Sequence, residues 1–327
     1  VGARKPTLGP GGEFDLIRRF LAADVGDLPA QVDVGPGDDA AVLEGGWVVS
    51  TDLSVEDVHF RRAWLGDRDV GYRATAAALS DQAAKAATPV GVLVSMAFPH
   101  GPRWDLAEIQ AGVREAAAQV GASVIGGDLS RSPGPLFLDV TVLGRTDAPA
   151  LRVGAAPGDE VWVTGALGAS AAAVRAWEAG EEPADALRDG FARPAPRTGV
   201  AAALAGAGVL RALVDVSDGL VGDAGHLAAA GGVSLVLEVD QVPVAAEARE
   251  ALGDAGALEA ALHGGEDYEL LFVAPDGAVT PALAQAVGVA LTRVGRVEVG
   301  EGVWLQDANG GRTRPARGGF DHGRDGA

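Results

Sequence analysis

Five short acidic motifs carry the chemistry of this chain: Gly37-Asp38-Asp39-Ala40-Ala41, Ser50-Thr51-Asp52, Leu79-Ser80-Asp81, Gly126-Gly127-Asp128 and Asp215-Val216-Ser217-Asp218-Gly219. Each sets carboxylates beside glycine or a hydroxyl residue, where a strand or helix is expected to begin or end. Oxygen donors of this kind suit a hard cation. Magnesium is held through a few carboxylates, water and substrate phosphates rather than in an all-protein cage, so scattered acidic loops that converge in space would build a metal-nucleotide site.

Every motif also has a plainer reading. Asp38 and Asp39 follow Pro36-Gly37, a setting in which Asp commonly forms a turn, although two acids ahead of Ala40-Ala41-Val42 are harder to explain as solvated turn residues. Ser50-Thr51-Asp52 is either a strand end or cap, or two hydroxyls and a carboxylate offered together to a cation. Asp81 interrupts a run of Ala74 to Leu79, Ala83 and Ala84, so it lies at a wet edge or is paired with a cation. Asp128 after two glycines reads as a tight turn, yet Gly126-Gly127 would also let a phosphate come close to the backbone. Ser217 or Asp218 would cap a following helix, and the same helix start would attract phosphate. His59 and Glu266 are the remaining polar candidates; the first could be structural and the second an exposed turn residue.

The missing motifs narrow the nucleotide class. No Gly-x-x-x-x-Gly-Lys-Ser/Thr occurs, and neither lysine, Lys5 or Lys85, follows a glycine. A dinucleotide-binding glycine fingerprint after a strand, His-Glu-x-x-His and a nucleophile elbow are absent as well.

The elements that must position these residues alternate along the chain. Spacing predicts helices at Glu13–Leu21, Asp67–Ala87, Trp104–Val120, Leu167–Ala179, Thr198–Ala205 and Leu220–Ala230. Strands are expected at Trp47–Ser50, Gly91–Phe98, Ala122–Ile125, Leu136–Leu143, Glu160–Thr164, Ala212–Val216, Ser234–Val239 and Tyr268–Val273. Asp52 and Asp128 would then sit just beyond strand ends. Interleaved elements of this kind indicate an α/β or α+β layered protein. The Pro- and Gly-rich stretch from Arg145 to Asp159 marks a domain boundary, giving domains 1–148 and 149–327. The closing Arg312–Ala327 is polar and expected to be loosely held except near Phe320.

Composition excludes several classes. A chain of 327 residues with 48% hydrophobic content can bury a substantial core. A formal charge of -19 argues against nucleic acid as a partner, because phosphate binding of that kind needs a basic face. An acidic protein that binds phosphates must import its cations. No cysteine means no thiol nucleophile, disulfide or cysteine-bound zinc. Apolar runs such as Val90–Phe98 are too short to span a membrane, and no signal-peptide core follows Val1 to Pro6, so the expected location is the cytoplasm.

In this order, the motifs resemble those of the thiamine-monophosphate kinase family, within the superfamily of aminoimidazole ribonucleotide synthetase and selenophosphate synthetase. The likeness runs from Gly12-Glu13-Phe14 through the acidic motifs, His59-Phe60 and Arg152 to Gly264-Gly265-Glu266-Asp267-Tyr268-Glu269-Leu270 and Gly319-Phe320-Asp321-His322. It implies an ATP-binding fold of the aminoimidazole ribonucleotide synthetase type, in a homodimer whose N-terminal sheets pair into a barrel. It further implies that Asp39, Ser50, Thr51, Asp52, Asp81, Asp128, Asp215 and Asp218 hold several magnesium ions, and that Gly127, Asp128, Arg152 and Ser217 contact ATP. His59, Glu266 and Phe320 would contact thiamine monophosphate; Phe320 keeps the stacking surface of an aromatic but lacks any hydroxyl. The implied reaction transfers the γ-phosphoryl of ATP directly to the phosphate of thiamine monophosphate. Because the acceptor is already an anion, no general base is required. Rival readings are another ATP-dependent synthetase of the superfamily, or a binding protein without turnover; selenophosphate chemistry is disfavoured by the lack of cysteine.

Overall fold

The computed structural model describes residues 7–9, 11–23, 28–101 and 103–320. Val1 to Pro6, Asp321 and His322 lie outside the described residues. The N-terminal half comprises α1 (Gly12–Ala23), β1 (Val32–Val34), β2 (Ala41–Leu43), β3 (Trp47–Val55), α2 (Asp67–Ala84), β4 (Thr88–Phe98), α3 (Leu106–Gln119), β5 (Ser123–Arg131) and β6 (Phe137–Arg145). Its strands form a sheet in the order β1-β2-β3-β6-β4-β5. The β4–β5 pair is parallel, with α3 as the crossover that parallel strands require.

Period-two alternation turns one face of this sheet toward the helices. Val48 and Ser54 of β3, Val92, Val94 and Met96 of β4, and Leu138, Val140 and Val142 of β6 are buried there. Trp47, Thr51 and Leu53 point to the other, more exposed face. Helix α2 is buried along most of its length, and its small side chains allow it to pack closely against several elements. A Cβ on Gly71 would lie 1.9 Å from the Ile109 carbonyl oxygen, and one on Gly112 1.9 Å from that of Arg68. This glycine pair lets α2 and α3 touch backbone to backbone.

The C-terminal half contains β7 (Glu160–Thr164), α4 (Ala169–Glu178), α5 (Asp185–Ala192), α6 (Thr198–Gly206), β8 (Ala212–Asp215), α7 (Leu220–Gly231), β9 (Ser234–Glu238), α8 (Ala246–His263), β10 (Leu270–Ala274), α9 (Pro281–Ala286), β11 (Leu291–Glu298), β12 (Gly302–Gln306) and β13 (Arg312–Thr313). Its sheet runs β13-β12-β9-β11-β7-β10-β8. Val163, Val214, Leu235, Leu271 and Leu227 of α7 share one core. A second core crosses between the halves, joining Leu79, Val92 and Val140 to Ala173, Trp177, Phe191 and Ala257. Such a continuous apolar seam holds the halves together around α2.

Two expected strand ends are displaced. Strand β3 continues past Ser50 to Val55, paired residue by residue with β6, so Asp52 lies within a strand. Strand β5 likewise runs through Gly126-Gly127-Asp128 to Arg131 instead of turning. Its glycines serve close strand packing: a Cβ on Gly127 would lie 2.0 Å from the Val94 carbonyl oxygen. Helix α5 and the elements α8, α9 and β11–β13 were not anticipated from periodicity.

Candidate active site

Carboxylates from separate elements converge beside α2. Asp38 and Asp39 enter on the turn before β2, Ser50 and Asp52 on the helix-facing side of β3, Asp81 from α2, and Asp215 from the end of β8. The Asp39 side chain is 1% exposed and accepts from Arg152 Nε and Nη2 at 3.0 and 2.6 Å, while Lys85 Nζ lies 2.9 Å from its other oxygen. Lys85 also donates to Asp38 Oδ1 and, at 3.2 Å, to the Ala150 carbonyl. Burial alone would raise the Asp39 pKa, but Arg152 and Lys85 together hold it well below the usual carboxylate range.

At Asp81 and Asp215 burial and neighbouring acids outweigh any compensation. Asp81 is pushed well above the ordinary carboxylate value by burial and then by Asp215, Asp39 and Asp52. Asp215 is raised to about 7, by burial first and then by Asp39. Ser50 Oγ and Ser80 Oγ are buried beside these acids without a well-formed hydrogen bond. Buried hydroxyls set loosely among crowded carboxylates form an oxygen-rich donor set that would suit a cation.

The Asp215-to-Gly219 loop continues this surface. Neither Ser217 nor Asp218 caps α7: Gly219 occupies that position with no side-chain cap, which removes the plainer reading of the motif. Instead Asp223, from the first turn of α7, accepts from the Asp218 N–H at 3.2 Å. Asp218, Asp223 and His226 each offer a ligand atom within 4.8 Å of the others. No such trio forms among Asp39, Asp52, Asp81 and Asp215. Their wider spacing suits a cation whose shell is completed by water and phosphate oxygens. The His226 pKa is lowered by burial, which keeps the ring neutral, and the ring lies 4.3 Å from Phe14.

The Gly264-to-Glu269 segment locks onto that loop. Glu266 N donates to Ser217 O at 2.7 Å, and Tyr268 N to Val216 O at 2.9 Å. A Cβ on Gly265, at φ +68°, would lie 2.3 Å from the Ser217 carbonyl, so glycine permits this crossing. Asp267 accepts from Gly168 N at 2.8 Å and is raised to about 8 by burial. Buried Glu269 takes Arg197 and Thr164. Glu266 is no exposed turn residue: Arg73 Nη2 pairs with it at 2.6 Å. Phe320 N donates to Asp218 O at 2.9 Å, which brings the last described residue to the same place.

Residues 37–146 match the N-terminal domain of AIR synthase related protein and residues 156–307 its C-terminal domain. The thiamine-monophosphate kinase of Rhodopirellula baltica is 37% identical over 93% of this chain and 95% of its own. That of Mycobacterium tuberculosis is 36% identical over 93% and 92%. The chain belongs to the thiamine-monophosphate kinase family. A solved structure described as AaThiL complexed with AMPPCP and TMP superposes with a TM-score of 0.81 at 31% identity, covering 96% of this chain and 97% of that one.

As a member of the thiamine-monophosphate kinase family, the chain gathers most but not all of its sequence-derived candidates in one place. Asp39, Ser50, Asp52, Asp81, Arg152, Asp215, Ser217 and Asp218 surround one region. Glu266 joins it through Ser217, and Phe320 through Asp218. Thr51 does not: its side chain is on the opposite sheet face, donating to Asp139 Oδ1 at 2.5 Å. Gly127 and Asp128 lie on exposed β5, where Asp128 pairs with Ser95, itself paired with Asp139. Asp128 and Thr51 thus share a second polar patch on the outer face, because strand alternation separates neighbours in sequence. His59 follows β3, with its Nδ1 accepting from Val55 N at 3.1 Å. Lys85, Arg73, Asp139, Asp223 and His226 were missed. Lys85, a lysine in an arginine-rich chain near the end of an alanine helix, was the clearest available signal.

Proposed function

We propose that this protein phosphorylates thiamine monophosphate with ATP, giving thiamine diphosphate and ADP, the last step of thiamine diphosphate synthesis. One observation carries the reading: Asp39, Asp52, Asp81 and Asp215 converge in a setting where burial and neighbouring acids raise the pKa of Asp81 and Asp215, within a chain of the thiamine-monophosphate kinase family. Two unit charges about 4 Å apart interact by roughly 4 kcal/mol at an effective dielectric near 20. A polyanionic nucleotide and a phosphate acceptor would add to that repulsion, so the acid set fits bound cations.

Asp39, Ser50, Asp52, Asp81, Asp215 and Asp218 would hold magnesium; Thr51 and Asp128 stand on the opposite face of the sheet and would not reach the same ions. Magnesium, when bound, would supply positive charge against that developing between donor and acceptor phosphates. Gly127, Asp128, Arg152 and Ser217 would receive ATP. For Arg152 this means sharing its guanidinium between Asp39 and a phosphate. His59, Glu266 and Phe320 would orient thiamine monophosphate, Glu266 being held in place by Arg73. No side chain needs to remove a proton, and positioning is the main contribution of the protein.

We further place the enzyme in the cytoplasm as a homodimer whose N-terminal sheets pair into a barrel. Leu53 of β3, Val90 of β4 and Ile125 and Leu129 of β5 are exposed large apolar residues, which supports burial of this sheet in an assembly. Among the described residues no helix is long and apolar enough to cross a membrane. The domain boundary is proposed near 148, between the ends of β6 and β7.

The direct test is a phosphorus NMR or chromatographic assay with ATP, magnesium and thiamine monophosphate, run beside free thiamine. Thiamine diphosphate and ADP should form from the monophosphate alone. Failure of transfer with Mg-ATP still bound would turn the reading toward a synthetase or a binding protein.

A further inference from the structure

Lys85 occupies a place normally suited to an ion. Its Nζ is fully buried and surrounded by three oxygens: Asp38 Oδ1, Asp39 Oδ2 at 2.9 Å and the Ala150 carbonyl at 3.2 Å. An ammonium has three N–H donors and no acceptor; two of these oxygens, Asp38 Oδ1 and the Ala150 carbonyl, accept hydrogen bonds from it, and Asp39 Oδ2 meets it as a charge contact. The choice of residue is specific. The chain contains only Lys5 and Lys85 as lysines and otherwise uses arginine, and Arg152 already presents a planar fork to the opposite oxygen of Asp39. A compact point charge on a flexible stem fills the remaining oxygen pocket as a guanidinium would not.

We propose that Lys85 is a tethered cation that takes the place of one divalent ion at the Asp38–Asp39 pair. It withdraws Asp38 from metal binding and fixes one oxygen of Asp39, so this chain holds one divalent ion fewer than its carboxylates would otherwise accept. Lys85 is thus a positioning residue for Asp39. The inference rests on the reading of Asp39 as a cation ligand, and the experiment separates the two.

Manganese(II) alone is titrated into the wild type, Lys85→Met and the double variant Lys85→Met/Asp38→Asn, with free ion counted by electron paramagnetic resonance. Thermal unfolding is followed in parallel, in manganese and in EDTA. Lys85→Met is expected to bind one more ion per chain than the wild type, and the double variant to return to the wild-type number. Lys85→Met should also lose thermal stability in EDTA and regain it with manganese, since the ion replaces the missing ammonium. An unchanged ion count, or an instability or failure to fold that manganese does not correct, overturns the proposal. Wild type that binds no manganese while Lys85→Met binds one would refute the cation role of the native acids and leave the Lys85 inference standing; no binding by either refutes both.

Discussion

Asp215 and Asp39 show how neighbours decide what a carboxylate does. Asp39 faces two cations and stays ionised; Asp215 faces mainly burial and other acids, and is raised to about 7. The folded state therefore binds a proton at Asp215 that the unfolded chain, with a value near 3.8, has released. Between about pH 4 and 7 the folded state binds more protons, so stability falls as pH rises through that window. In EDTA the melting temperature should decline across it, Asp215→Asn should flatten the decline, and magnesium should do the same. Asp81→Asn is expected to reduce turnover on the order of 10²-fold or more, as loss of charge stabilisation at a reacting centre does. The same change should raise the melting temperature in EDTA, because burial and then Asp215, Asp39 and Asp52 oppose ionisation of the native carboxyl. Steady-state rates and calorimetry on one preparation test both; near-normal turnover would sink the metal assignment.

At the level of elements, α2 matters most, because it carries Asp81 and stands between the two halves. Its alanines were legible as a helix, but the same run gave no amphipathic stripe to indicate which side faces what. The helix is buried nearly all round, and its orientation comes from contact with α3 through Gly71 and Gly112. Gly71→Ala would set a methyl against backbone that cannot withdraw, costing about 1–3 kcal/mol as overpacking does. Denaturant unfolding should show that loss. Because α2 positions Asp81, the variant should also weaken the stabilisation by magnesium. Strand β3 was read short because polar Ser50, Thr51 and Asp52 resemble a strand end; pairing with β6 through Val55 keeps them in the sheet.

The whole molecule places two polar patches on opposite faces of one sheet. The inner patch contains Ser50 and Asp52, the outer Thr51, Asp139 and Asp128. Exposed Leu53 and Ile125 adjoin the outer patch, and β5 forms a sheet edge. In the proposed homodimer, Leu53→Glu should therefore shift the protein from dimer to monomer in sedimentation or light scattering and lower activity together with it. A wild type that sediments as a monomer would overturn the dimer.

Sequence alone determined the alternation of helices and strands and which residue types are available for chemistry, because periodicity, turn residues and charge are local properties. It also allowed the acidic motifs to be recognised as a set. Tertiary structure decided which of them meet. Adjacent Thr51 and Asp52 part to opposite faces by strand geometry, whereas Asp215, far from Asp81 along the chain, raises the Asp81 pKa through space. Lys85 was visible only as an unusual lysine; its role depends on the three oxygens that folding brings around it. Long-range convergence depends on how sheets and helices pack, and no local pattern of residues encodes it.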